Sequence, residues 1–478
     1  MRAAENFLSK PATRWLVGAL ALVLFLTTNL PWQLDDYDQA KQAFTSFEMV
    51  KEGDWLYQRT PHERIATKPP LVGWISAGVF EITRSWDVAW RLPSIAAAIA
   101  LSILLFRAGN IYGAAGGLIA LSAFAFNLLT PRLASLVRTD MPLALVVFLI
   151  GAQIWKKIRD GTRWERRDRL SIFALLTAAM LIKGPIVYAF LLPGIVAFQW
   201  WRRKTKASSS AWCGWWPWLA SLSIFLAWVI GGSILVPQFY DQVVLREFVG
   251  RFGETVHRPQ PIYFYLPHLL HKFAPWSVLL IGWGIVDLRG REWKIREVIR
   301  NISPEIFWLI CWGLGGLLVM SLIPSKRVDR VFPVIPPLCL LLATHLRPRW
   351  NRWVAAALLL SILSAGGYSA FKVWSGYHHH RHALVVLGHM FRDQLVRNHW
   401  RYEVAESSDE SLLLYFDKLH FINPTEAIDK WKRGELDALV VPDDADWWQP
   451  LQTPGTTYWI MPAEARRARG PNYRVLVR

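Results

Sequence analysis

Cysteine is nearly absent: the chain has three, Cys213, Cys311 and Cys339, all in or beside apolar runs and none at metal-ligand spacing. A disulfide framework is therefore not expected to organise the fold. Acidic residues are also scarce, with 36 Asp and Glu against 54 Lys and Arg, a net charge of +18. That balance alone would suit a nucleic-acid binder. The basic residues, however, stand in short loops between apolar runs, where they set membrane topology, so no nucleic-acid partner is expected. The sequence contains neither an internal repeat nor a low-complexity tract, which argues against a repeat-built transporter.

Apolar residues are abundant, at 53% of the chain, more than a soluble protein of this length could bury. Long apolar runs recur to about Trp374, which predicts a polytopic α-helical membrane protein. The 28 Trp and 13 Tyr gather at the ends of these runs, as in "WCGWWPW" from Trp212, the aromatic belts of a bilayer protein. A basic flank and an apolar run open the sequence with no small-residue cleavage site before "PWQLDD", so an uncleaved first span is expected. Expected spans lie near 14–31, 88–106, 111–130, 138–155, 170–183, 184–201, 215–236, 274–288, 305–323, 331–346 and 353–374. Soft boundaries put the number at about 11 to 13.

With the N-terminus in the cytoplasm, the connections at Arg107, Lys156, Arg202, Arg289 and Arg347 fall inside, and all are basic. This works only if Leu71 to Ile82, flanked by Lys68 and Arg84, is an interfacial helix on the outer face and not a span. The resulting division is a transmembrane domain at 1–376, whose first outer loop at 32–87 carries interfacial helices, and a small outer α/β domain at 377–478. In that domain "YEVAES", "ALVVPD" and "TTYWIMP" read as strands, and "ALVVLGHMFRDQLVRNHW" and "PTEAIDKWKRGE" as helices.

Four outer-face stretches carry charge that a loop does not need. "QLDDYDQAK" places Asp35, Asp36 and Asp38 beside hydrocarbon, and a helical Asp38 would share a face with Lys41. "TKPPLVGW" holds Lys68 rigidly before a diproline. "LVRTDMPL" offers Arg138 and Asp140 at the mouth of a span, and "LIKGPI" lodges Lys183 between apolar halves. Arg246, Arg251, His257, Arg258, Lys326 and Arg327 add further cationic character. Fixed cations at the membrane surface suit a lipid-linked phosphate, and a carboxylate among them suits a base that activates an acceptor. The bland reading is of snorkelling side chains and topology-setting charges, and it is preferred for Asp35 and Asp36. The "YHHHRH" run at Tyr377 is read as an interfacial linker in preference to a metal site.

Taken in order, "DQAKQAFTSFEMVKEGDWL", "KPPLVGWISAGVFEI", "RLPSIAAAI", "RTDMPL", "KGP", "REFVGRFGETVHRPQPIYFYLPHLL", "FAPW" and "PSKRVDRVFPVIPPL" resemble the bacterial membrane glycosyltransferases that include the lipid A aminoarabinose transferase. These are relatives of the protein O-mannosyltransferases in the type C superfamily, and the likeness runs from about residue 14 to 350. It implies a bacterial inner-membrane protein that uses a polyprenyl-phosphate sugar on the periplasmic side. The acceptor would be an envelope glycolipid such as lipid A, a glycan or a protein. The family's acidic pair falls on Asp38 and Gln39, its nearby basic residue on Lys41, and its "KPP" lysine on Lys68. Lys183, Asp140 and His257 match the "KG" lysine, the acid of "DMPL" and the histidine of "HRP". Thr67 stands where many relatives have a Glu associated with a metal, so a divalent metal stays open and no other cofactor is implied. Arg330 or Val331 replaces a family Tyr.

The expected reaction is a single inverting displacement. Asp38 would be the catalytic carboxylate, in the acceptor or base role, or orienting and balancing charge if the acceptor is a phosphate; Lys41, Lys68 and Lys183 would hold the donor phosphate, and Arg138, Asp140, His257, Arg258 and Lys326 would contact substrate. The alternative is a lipid-linked sugar transporter, which needs the cations but no carboxylate at the anomeric carbon; a scaffold that recruits partners is a weaker rival.

Overall fold

The computed structural model describes residues 10–30, 32–34, 37–205, 210–250, 259–290, 292, 299, 301–344, 351–443, 445–452, 457–460 and 472–478. A helix lies at each expected span: Pro11–Thr28, Trp86–Gly109, Ala114–Ala125, Asp140–Asp160, Arg166–Lys183, Ile186–Thr205, Trp216–Leu235, Trp276–Arg289, Pro304–Leu322, Ile335–Thr344 and Asn351–His378. Among the described residues six helices are long and apolar enough to cross a membrane. A seventh crossing results if the pair Ile262–Lys272 and Trp276–Arg289, bent by 106°, is one broken span. The protein is a multi-pass membrane protein. Leu71–Thr83 is a separate helix of 13 residues, too short for a full crossing, as an interfacial element should be.

Local sequence fixes the helix ends that matter later. Arg166–Lys183 opens with a reciprocal capping box between Glu165 and Asp168. It closes at Gly184, whose φ of 72° lies in the left-handed region that glycine adopts without strain. Lys183 is thereby held at the last helical position.

The chain divides into two compact units. One comprises Met1–Thr28, Thr67–Val72 and Arg91–Ser369. Its helices Ile186–Thr205 and Pro304–Leu322 touch backbone to backbone, because a Cβ on Gly315 would stand 2.7 Å from the amide nitrogen of Gly194. In the bilayer, where lipid tails are as apolar as leucine, such small-residue contact is what drives helices together. Gly151 accepts the indole N–H of Trp308 at 3.0 Å through its carbonyl.

The other unit comprises Asn29–Ala66, Gly73–Trp90 and Ala370–Arg478. Its four-stranded sheet has the order β1 (Tyr402–Val404), β2 (Ala438–Pro442), β4 (Tyr473–Val477), β3 (Thr457–Ile460). The β1–β2 pair is parallel; β4 runs antiparallel to both β2 and β3. Helices Ala383–Asn398 and Pro424–Lys432 occur where the apolar spacing predicts them, the latter capped by Asn423 accepting from the Thr425 amide. β4 was not among the expected strands. Residues of the first loop join this unit by specific bonds: the Leu34 amide donates to Tyr415 Oη at 2.6 Å, the Gln33 amide donates to the Arg381 carbonyl at 2.9 Å, and Lys51 pairs with Asp417 at 2.9 Å.

Candidate functional site

In the first unit, the Gly184 stop aims the Lys183 ammonium at Asp140, the first residue of Asp140–Asp160, and the two form a hydrogen-bonded ion pair. Their side chains are only 9% and 10% exposed. Charges that deep are tolerated when each has its partner, and the helix N-terminus adds favourable dipole to the carboxylate. Arg138 and Lys68 act on Asp140 as further positive charges. The Arg138 guanidinium bonds Asp329 at 3.1 Å, with Arg132 at 3.9 Å from the same oxygen. Ser94 Oγ donates to the Leu136 carbonyl at 2.7 Å and so pins the turn that carries Arg138.

Lys68 lies 3.5 Å from one oxygen of Glu247, while Thr67 donates its hydroxyl to the other at 3.1 Å. Glu247 stands on Tyr240–Val249, a segment wound with i→i+5 hydrogen bonds, a rare winding that is frequent at functional sites. Lys326 donates to the Gln260 carbonyl at 2.8 Å, and burial pushes its pKa below the usual lysine range. Four of the residues singled out in the sequence, Lys68, Arg138, Asp140 and Lys183, thus share one electrostatic neighbourhood in this unit.

Asp38 and Lys41 belong to the second unit, Asp38 in the first turn of the helix Tyr37–Glu52 and Lys41 three residues on, at the spacing that puts them on one face. Both act on the buried Glu410, whose pKa is pushed up to about 7, chiefly by burial; Lys41 and Arg64 oppose the rise while Asp409 and Asp38 add to it. His62 Nε2 is 4.0 Å from Glu410, and burial lowers the pKa of its ring. Glu48, on the same helix as Asp38, is 3% exposed and accepts the Arg59 amide; burial raises its pKa to about 8. His257 and Arg258 lie outside the described residues, as do Arg251, Asp35 and Asp36.

The Dolichyl-phosphate-mannose-protein mannosyltransferase family matches residues 67–230. An undecaprenyl phosphate-alpha-4-amino-4-deoxy-L-arabinose arabinosyl transferase of Shewanella sediminis is 25% identical over 386 residues, covering 79% of this chain and 66% of the relative. Its namesake from Sodalis glossinidius is 27% identical over 373 residues, covering 71% and 60%. The chain thus spans roughly three fifths to two thirds of the length of these relatives. The crystal structure of ArnT from Cupriavidus metallidurans bound to undecaprenyl phosphate superposes with a TM-score of 0.65, 17% identity, and 96% and 97% coverage of the two chains. By sequence and fold, the chain is aminoarabinose-transferase-like. The fold is shared over nearly its whole length.

Two aspects of the site depart from what the motifs suggest. At the position of the family's metal-associated Glu, the Thr67 hydroxyl is a donor to Glu247 and offers no charge to a cation, so no step is assigned to a metal. Among the described residues, the carboxylates close enough to share an ion are Glu48, Glu52 and Asp54, but a Glu48 that burial keeps protonated near neutrality is ill suited to that use.

Sequence reasoning singled out neither Asp329, Glu247, Glu410 nor Glu48. Asp329 had a readable signal, as the acid inside the basic "PSKRVDR"; Glu410, next to Asp409 in "SSDES", had none.

Proposed function

We propose that the protein transfers a monosaccharide from a polyprenyl-phosphate donor to an acceptor at the periplasmic face of a bacterial inner membrane. The observation that carries this reading is the gathering of Lys68, Arg138, Asp140 and Lys183 in one neighbourhood, cations suited to a phosphate at headgroup depth. The relatives are named for an undecaprenyl-phosphate aminoarabinose donor, which supports the donor class. The acceptor is lipid A, another envelope glycolipid or glycan, or a protein.

In the reaction an acceptor oxygen bonds the anomeric carbon as the carbon–oxygen bond to phosphate breaks, and the polyprenyl phosphate departs with the electron pair. A single displacement inverts that carbon. Lys68 and Lys183 screen the leaving phosphate, and Arg138 and Asp140 orient the substrate. Asp38 takes the acceptor's proton where the acceptor is a hydroxyl and balances charge where it is a phosphate. With the N-terminus cytoplasmic and residues 377–478 a periplasmic domain, the five basic connections fall on the inner side.

The test is transfer of sugar from a polyprenyl-phosphate donor by the purified protein, alongside mass spectrometry of envelope glycolipids and glycoproteins with and without it. No transfer and identical profiles would leave the transporter reading in its place.

A further inference from the structure

We propose that Thr67 and Lys68 form a two-point subsite for the donor's phosphate, and that the Glu247 carboxylate fills this subsite until the phosphate displaces it. The proposal rests on the transferase reading above and concerns the first unit alone.

The two donors take different oxygens of one anion: the Thr67 hydroxyl one at 3.1 Å, the Lys68 ammonium the other at 3.5 Å. A phosphate presents the same pair of oxygens with at least as much charge, and it forms charge-assisted bonds of the same kind. The donors are held by a stiff stretch, because Pro69 and Pro70 follow directly and lock the backbone. The occupant can exchange. Lys68 and Glu247 are half-buried, with side chains 30% and 23% exposed, so the pair is reachable from solvent and easier to break than a fully buried one. The Lys183–Asp140 pair, at 9% and 10%, has no such freedom.

Thr67 adds a neutral hydrogen-bond donor beside the Lys68 ammonium, so the subsite offers an anion two points of contact. The carboxylate comes from Glu247, 180 residues further on. It neutralises Lys68 while the subsite waits and can withdraw when a stronger anion arrives. A weaker anion must compete with a tethered carboxylate, so Glu247 also selects for phosphate.

The experiment measures binding of undecaprenyl phosphate to the purified full-length protein in lipid nanodiscs, with undecaprenol as the phosphate-free control. Glu247→Gln keeps an oxygen for the Thr67 hydroxyl but removes the charge, and it should bind about three- to tenfold tighter, the size expected when a weak competing ion pair is lost. Lys68→Ala should weaken binding about tenfold or more and Thr67→Val several-fold. In a Lys68→Ala background Glu247→Gln should gain much less, since the competition is for that ammonium. Undecaprenol binding should not respond to Glu247→Gln. Wild-type protein that binds no undecaprenyl phosphate would remove the transferase reading and this inference together. Wild-type binding that Glu247→Gln leaves unchanged or weakens would overturn this inference alone. So would an equal gain with and without Lys68, because Glu247 would then act as general negative charge.

Discussion

Lys183–Asp140 and Lys68–Glu247 are the same two charges in different surroundings. The first pair is almost wholly buried and the second is half-buried, with both side chains in reach of solvent. In the buried pair, loss of either charge removes the nearest compensation from a partner that water reaches poorly. In the half-buried pair water reaches both partners. Burial thus decides how readily a lysine–carboxylate pair exchanges, and sequence spacing does not reveal it.

The largest expected effect breaks the buried pair. Lys183→Ala should cost about 3–5 kcal/mol, because Asp140 keeps a buried charge without its ammonium. Lys68→Ala should cost under about 1 kcal/mol, as exposed pairs do. Thermal unfolding of the two purified variants in one detergent compares them directly. Replacing both buried partners, as in Lys183→Met with Asp140→Leu, should recover much of the loss. Equal sensitivity of the two single variants would mean that burial does not separate the pairs.

A second test sets two carboxylates at helix starts against each other. Asp140 is buried and paired, whereas Asp38 is only half-buried in the first turn of Tyr37–Glu52. A group aimed at the reacting centre acts mainly in the transition state, so Asp38→Asn should fold and bind donor normally while turnover falls roughly a hundredfold. Asp140→Asn should lose stability first. Near-normal transfer by Asp38→Asn would show that the family register is misplaced by the distance from Asp38 to "EM" and "GDW".

These contrasts also mark what the sequence makes legible. Apolar runs and basic loops suffice to find a helix at every expected span, because bilayer thickness and backbone satisfaction leave a chain few options. The short helix Leu71–Thr83 was readable for the same reason. The motifs named Lys68, Arg138, Asp140 and Lys183, since fixed charge beside hydrocarbon is conspicuous. Their partners are another matter. Asp329 is 191 residues from Arg138 and Glu247 is 179 from Lys68, and no periodicity connects residues so far apart. β4 was missed because a five-residue strand at the end of the chain, "YRVLV", has no turn chemistry on both sides to frame it.

A last and smaller contrast concerns a third way of burying a carboxylate, in which a proton takes the place of a lysine. Glu48 is 3% exposed, and its pKa is raised from 4.5 to about 8, first by burial and against the hydrogen bond it accepts from the Arg59 amide. Between those two values the folded protein keeps a proton that the unfolded chain releases. By linkage, stability falls as pH rises through that window. The contribution of the protonated side chain is complete below about pH 4.5 and is lost as pH passes about 8. The upper bound on the slope is about 1.4 kcal/mol per pH unit, so a loss on the order of 1–2 kcal/mol is expected between about pH 6 and about pH 7.5. Glu48→Gln keeps an acceptor for the Arg59 amide and cannot ionise. Its unfolding temperature should match the wild type near pH 5 and exceed it near pH 8, with the pH dependence flattened. A wild-type protein whose stability rose with pH over this interval would mean that Glu48 is ionised in the fold, and that a cation answers its burial just as Lys183 answers that of Asp140.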